Sequence, residues 1–332
     1  MKKDKQYYLV LPPSLLLLLL IIYTEAAVQG AREGITQCIQ VIVPSMFPFI
    51  FITGWLNSRL PSSLLSPVPL LSMPRGCRAL FLTGLLGGYP VGAKTIADAY
   101  DNKSITKQTA HILLGYCNNP GPAFIFGISH TLFDSIWIPW LVWTIQILSA
   151  LVTGIILPKS AETSIRYEAD NAFSLASNIK RSIFVTSVIC GWIILFKILL
   201  RIIAQFRIIE SLLPIWAGIL ELSNGCLILS EIMPLSLRFL LFCVFLSFGG
   251  LCVWLQTISV VTSTGPGLFY YGKMIQTAIC TLVSIPMSCL LFRKLPFSIS
   301  TMVPIVLLCI MIILLLSAKC RKTSGNHMDN RV

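Results

Sequence analysis

From Phe239 to Gly272 the chain runs 34 residues without a charged side chain. A helix needs about 20 residues to cross the hydrocarbon core of a bilayer. This run is therefore too long for one straight crossing and too apolar for water, so it must cross and break. Gly249-Gly250 and Gly265-Pro266-Gly267 supply two breaks, since glycine reaches backbone conformations closed to other residues and proline lacks an N–H. Uncharged stretches at 35–56, 135–157, 274–292 and 295–318 are each of spanning length. Only 11% of the chain is charged and its mean hydropathy is +0.82, against roughly 25% charged in a soluble domain. The sequence predicts an all-α polytopic membrane protein whose first partner is the lipid bilayer.

The net charge of +12 does not point to nucleic acid, and no nucleic-acid partner is expected. The cations gather at segment ends and tails: Lys2, Lys3 and Lys5, then Arg59, Arg75 and Arg78, and finally Lys319, Arg321, Lys322 and Arg331. Short cytoplasmic loops collect Lys and Arg in this way. If 9–28 and 35–56 each cross once, the N-terminus and the basic segment 57–78 share the cytoplasmic side. Residues 9–28 have the basic-then-apolar form of a signal peptide, but more membrane sequence follows, and an uncleaved first helix is expected. The eleven cysteines form no C-x-x-C pair and mostly lie in apolar runs, where Cys acts as a small hydrophobe. No metal site, disulfide framework or cofactor is expected.

One phrase occurs twice inside uncharged sequence. Residues 87–96 read GGYPVGAKTI and residues 249–258 read GGLCVWLQTI, agreeing at five of ten positions, with Lys94 opposite Gln256. Downstream, Asn119-Pro120-Gly121-Pro122 is echoed by Ser263-Thr264-Gly265-Pro266, and each copy is preceded by a Pro-led apolar segment, at Pro48 and Pro214. Gly/Pro-broken hydrophobic segments in corresponding positions of two halves point to the binding site of a transporter. The chain accordingly divides into an N-terminal transmembrane helix (1–29), a first repeat (30–157), a charged linker (158–181), a second repeat (182–294), a C-terminal transmembrane helix (295–318) and a basic tail (319–332). Within the first repeat, 35–56 is interrupted by Pro44 and Pro48. Residues 79–93 are too short and glycine-rich for an ordinary crossing. Irregular backbone at membrane depth is tolerated only inside protein or along a wet cavity. Both Gly-Gly segments are therefore expected to be discontinuous helices or hairpins facing the centre, and close helix packing is the plainer alternative.

GLLGGYPVGAKTIADAY at 84–100, followed by CNNPGPAF at 117–124, resembles the sporulation integral membrane protein YlbJ family of endospore-forming bacteria. The resemblance runs over roughly residues 30–290. It implies a nucleoside recognition, or Gate, domain related to concentrative nucleoside transporters, and movement of dipicolinate, a small aromatic dicarboxylate, across the outer forespore membrane. The second half departs from the family pattern: G-G-L-S-V-H-A-Q is expected, and Gly249-Gly250-Leu251-Cys252-Val253-Trp254-Leu255-Gln256 is present.

A dianionic substrate needs donors and positive potential, which half-helix N-termini and glycine-exposed backbone supply. The expected substrate-binding residues are Gly87, Gly88, Tyr89, Gly92 and Lys94 from the first phrase and Gly249, Gly250 and Gln256 from the second, with Asn118, Asn119, Ser263 and Thr264 at the Gly-Pro breaks. Lys94 is the leading candidate, because an ionisable residue inside a membrane segment is a functional hypothesis by default. Its plainer alternatives are a snorkelling cation or a pair with Asp98 one turn on. Glu221, close to Asn224, is the candidate coupling-ion site. His111 and His130 read as interfacial, and Trp216 and Trp254 as packing residues. The chain carries no H-E-x-x-H, G-x-S-x-G or P-loop, so no enzyme is expected. The partner is a small-molecule anion or a nucleoside, homo-oligomer formation stays open, and a non-transporting component of spore assembly is the alternative from another class.

Overall fold

Helices account for nearly all of the ordered backbone because the apolar runs leave no other way to satisfy their N–H and C=O groups inside lipid. The computed structural model describes residues 2–59, 77–160, 174–206, 213–294 and 298–329. The basic connection at 60–76, the linker charges Glu162, Arg166, Glu168 and Asp170, and the last residues of the tail lie outside the described residues. Among the described residues six helical stretches are long and apolar enough to cross a membrane. The protein is a multi-pass integral membrane protein.

The first helix, α1 (Lys2–Ile22), ends earlier than the hydropathy suggests. After Tyr23 the chain enters a 33-residue helical stretch, Thr24–Leu56, made of α2 (Thr24–Gln37), a π-helical turn (Cys38–Ile42) and α3 (Val43–Arg59). The boundary falls at Tyr23 because Glu25, Gln29, Arg32 and Glu33 are helix-compatible and continue α2. Pro44 and Pro48 do not interrupt the stretch. The π-turn, in which the Val43 N–H reaches the Cys38 carbonyl, directly precedes Pro44 and absorbs its missing donor. α2 packs along α9 (Leu175–Ile203). Gly30 and Gly34, four residues apart on one face, let the α9 backbone approach: a Cβ on either would lie 2.8–2.9 Å from Ile198 or Ile194 Cα. This small-residue spacing is a common close-packing device in membranes.

Two re-entrant hairpins follow. α4 (Arg78–Gly87) and α5 (Val91–Asp101) fold back on each other about Gly88-Tyr89-Pro90, with Gly84 against Gly92. α10 (Leu213–Leu220) and α11 (Leu222–Ile232) fold back about Glu221, with Gly218 against Gly225. Each hairpin is followed by an interrupted helix that does not fold back: α6 (Lys107–Leu114) and α7 (Pro122–Leu132) flank 115–121, and α12 (Leu235–Phe248) and α13 (Gly250–Val260) flank Gly249. Each set closes on a long helix, α8 (Ile138–Ile156) or α14 (Phe269–Phe292). The peripheral α15 (Ile299–Asp329) packs on α14. The order of hairpin, interrupted helix and long helix thus occurs twice.

That order corrects the register of the repeated phrase. Gly87-Gly88 closes a hairpin, whereas Gly249-Gly250 kinks a helix within one 26-residue span, Leu235–Val260. The counterpart of the first hairpin is the one at Glu221, and the counterpart of the Gly249 kink is the Asn118-Asn119 break. The phrase misleads because a Gly pair serves any backbone interruption in apolar sequence. The hairpins are interlocked: α5 packs on α13 and α11 on α7, so each leans on the interrupted helix of the other repeat. The Leu235–Val260 span is the most enclosed of the six, with 67% of its window buried against 6% in α15, which makes it the axis of the molecule.

The second hairpin depends on its paired glycines. A Cβ on Gly225 would lie 2.2 Å from Gly218 Cα, whereas one on Gly127 would meet nothing within 4 Å. Gly225→Ala is expected to cost about 1–3 kcal/mol, measured as a lowered melting temperature in detergent with Gly127→Ala as the unaffected control. Equal melting of the two variants would contradict this packing.

Candidate functional site

The tips of the hairpins and the two helix interruptions meet at the centre of the molecule. Gly88 turns the first tip at φ +76°, a conformation that favours glycine. A side chain there would also strike the Gly121 backbone at 2.8 Å. The first tip therefore abuts the Asn-Asn-Pro-Gly-Pro break. Gly249, at φ +84°, would place a Cβ 3.7 Å from the Tyr89 ring, and Gly250 lies against the carbonyls of Gly218 and Ile219 at the second tip.

Tyr89 is the hub. Its hydroxyl donates to the Leu246 carbonyl at 2.7 Å, in the last turn of α12, where carbonyls lack intrahelical donors. The same hydroxyl accepts from Lys273 Nζ at 3.2 Å, and that ammonium sits 4.8 Å from the Tyr89 ring centroid. Lys273 also donates to Gln276 Oε1 at 2.8 Å. Gln276 Nε2 donates to Asn119 Oδ1 at 2.8 Å, and Asn119 Nδ2 to the Tyr116 carbonyl at 2.7 Å. Lys273, Gln276 and Asn119 are each 0% exposed. Among the described residues no carboxylate lies within ion-pair distance of Lys273. An ammonium buried without a counter-charge is expensive, and here two oxygens and a ring face carry it. Asn118, one residue away, accepts from the Ala93 N–H at 3.3 Å and donates to Thr257 Oγ1 at 2.9 Å, joining the first hairpin to α13.

On the other side of Tyr89 lies a cavity of about 30 Å³, bounded by Tyr89, Gly121, Glu221, Ser223, Val253 and Gln256 among others. It is large enough for a water molecule. Glu221 caps α11: Oε1 accepts from the Ser223 N–H and hydroxyl, both at 2.9 Å, and Oε2 from the Asn224 N–H at 2.7 Å. Asn224 Oδ1 accepts from Lys197 Nζ on α9 at 2.6 Å. Lys197 is also 3.9 Å from Glu33 of α2, which Arg201 holds through both of its carboxylate oxygens.

The structure thus gathers Gly88, Tyr89, Asn118, Asn119, Gly249, Gly250 and Gln256, with Glu221 and Asn224 beside them. Gly87 and Gly92 shape the first hairpin rather than presenting groups to the cavity: a Cβ on Gly87 would strike Val91, and one on Gly92 the Cys117 carbonyl. Lys94 stands apart, bonded to Asp98 at 2.7 Å, about a third exposed, with Arg181 on the same carboxylate. Thr264 is buried away from the cluster and offers its carbonyl to His111 Nε2 at 2.7 Å, while Ser263 is exposed. His130 and Trp216 are exposed. Trp254 packs on Phe248, Phe269 and Tyr270 and donates to the Phe248 carbonyl.

The chain is 21% identical over 308 residues to Sporulation integral membrane protein YlbJ of Bacillus subtilis (strain 168), covering 76% of each protein. The likeness supports the YlbJ family. No family model matches the chain, and no solved structure matches it. Within the YlbJ pattern, the two replaced positions of the second phrase differ in consequence. Cys252 is buried and accepts from Gln256 Nε2 at 3.2 Å. Trp254 turns into the aromatic cluster and takes no part in the central polar network.

Lys273, Gln276 and Lys197 are absent from the sequence-based set. Lys273 ends the 34-residue uncharged run and opens the next, which made it look like a boundary. The available signal was its i, i+3 spacing to Gln276 on one helix face. Lys273→Met keeps the volume and removes an uncompensated buried charge, so the melting temperature in detergent should be unchanged or higher. A clear drop would make Lys273 a structural strut.

Proposed function

We propose that this chain is a sporulation-associated membrane transporter that carries a small organic anion, dipicolinate, across the outer forespore membrane by alternating access. Sporulation and membrane residence are in the name of the relative, and dipicolinate is what the motif resemblance implies. The single observation that carries the anion is Lys273: a fully buried lysine amine at the Tyr89 tip of the first hairpin, lacking an acid partner among the described residues. A bound carboxylate would supply the missing counter-charge. Tyr89, Asn119 and Gln276 would orient the ligand, and the glycine-lined tips would let it approach backbone N–H groups.

The cavity as it stands, about 30 Å³, is far below the roughly 300 Å³ or more of a small-molecule pocket. Admission therefore requires the hairpin tips to part from the interrupted helices, which breaks the Tyr89–Leu246 and Ala93–Asn118 bonds. Opening on one face at a time would expose Lys273 alternately to the two sides. The amide-rich surroundings (Asn119, Gln276, Gln256) favour a second reading, a neutral nucleoside held by its base and sugar.

Uptake of labelled dipicolinate and, separately, uridine into vesicles holding the purified protein tests both. Saturable dipicolinate uptake is expected, reduced ~10-fold or more in Lys273→Met, as befits loss of a charged hydrogen bond worth about 1.5–3 kcal/mol. Lys94→Ala should retain most of it. Uridine flux alone would select the nucleoside reading, and no flux from folded protein would leave a non-transporting membrane component.

A further inference from the structure

We infer that Glu221 is a proton-binding site whose protonation releases the second hairpin, so that the anion crosses together with a proton. This rests on the transporter reading above. The carboxyl group lies at the tip between α10 and α11, 2% exposed, on the wall of a cavity that is also lined by Tyr89, whose hydroxyl accepts from Lys273. All the bonds it makes are accepted: two backbone N–H groups and one hydroxyl, from Ser223 and Asn224. That set fits the ionised form. These donors take three of the carboxylate's four lone-pair sites, and a proton on the fourth removes the charge that strengthens the bonds and so weakens the cap on α11.

The surroundings make the change consequential. Lys197 from α9 holds Asn224 in the first turn of α11 and lies within electrostatic reach of Glu221, with Glu33 on its other side. The other titratable groups around Glu221 are Cys38 from the π-turn, Cys252 from α13, Cys226 on α11 itself, and Tyr89 across the cavity. Neutralising Glu221 removes its attraction for Lys197 and leaves the Lys197–Asn224 bond, which weakens the docking of the hairpin against α9. A dicarboxylate admitted to the cavity that Tyr89 and Glu221 line is repelled by an ionised Glu221 and is not repelled by a protonated one. Proton and anion therefore each favour the binding of the other, as linkage requires.

The test has two arms. In infrared difference spectra of the purified protein between about pH 5 and about pH 8, a protonated-carboxyl band should appear in the wild type and be missing in Glu221→Gln. Lys197→Met, which leaves the acid in place, should move the pH midpoint of that band. An absent band, a band that persists in Glu221→Gln, or an unmoved midpoint would overturn proton binding at Glu221. In vesicles, an inward proton gradient should drive dipicolinate accumulation in the wild type. Glu221→Gln should lose that accumulation ~10-fold or more while still exchanging labelled for unlabelled anion at a detectable rate. Retained accumulation in Glu221→Gln, or accumulation driven by sodium instead, would overturn the coupling. The band without any wild-type flux would sink the transport reading and leave Glu221 standing as a proton site.

Discussion

A helix interrupted inside a bilayer must find partners for the backbone groups that the break releases, because hydrocarbon offers none. In this protein much of that work is done by the opposite repeat. The Leu246 carbonyl near the Gly249 kink is taken by Tyr89 from the first hairpin, and a side-chain bond from Asn118 at the first interruption to Thr257 on α13 ties the two breaks together. The Leu268 N–H, after the Gly-Pro-Gly turn, goes to the His111 carbonyl on α6. Each such bond is worth about 1 kcal/mol net, and leaving a partner unmade costs more. The repeats are thus held together by the requirements of their own breaks, and the glycines are the residues that let the broken ends come close enough.

The same arrangement explains how a lysine can sit in the middle of a membrane protein. Lys273 lies in the second turn of α14, just after the irregular segment 261–268, and is met by the hydroxyl and ring of Tyr89 and by Gln276. These groups solvate the ammonium without neutralising it. A true ion pair would fill the need for a counter-charge permanently. Glu221 and Glu33 are committed elsewhere: Glu221 to the start of α11, and Glu33 to Arg201 and Lys197. A positive seat and a negative latch, with Tyr89 between them, are the electrostatic basis of the anion-and-proton scheme.

The membrane class, the apolar segments behind the six long helices and the need for breaks near Gly88, Asn119, Gly249 and Gly265 were legible in the sequence, whereas 9–28, expected to cross, is not among the six helices of spanning length found among the described residues. Each depends on local composition: runs of uncharged residues must lie in lipid, and Gly and Pro must interrupt them. Tyr89, the two Asn and Glu221 could be singled out for the same reason, since polar residues in such runs are few. What composition could not supply was equivalence between elements. A Gly-Gly pair is chemically the same at a hairpin tip and at a helix kink, and only long-range packing shows which is which. Lys94 and Lys273 likewise both border apolar runs. The fold gives one an aspartate a turn away at the half-exposed end of α5 and buries the other against the facing repeat. Sequence alone determined where this chain must be apolar and where its helices must break, because those are local properties. The tertiary structure decided which charge faces the centre, because that depends on which distant residues close over it.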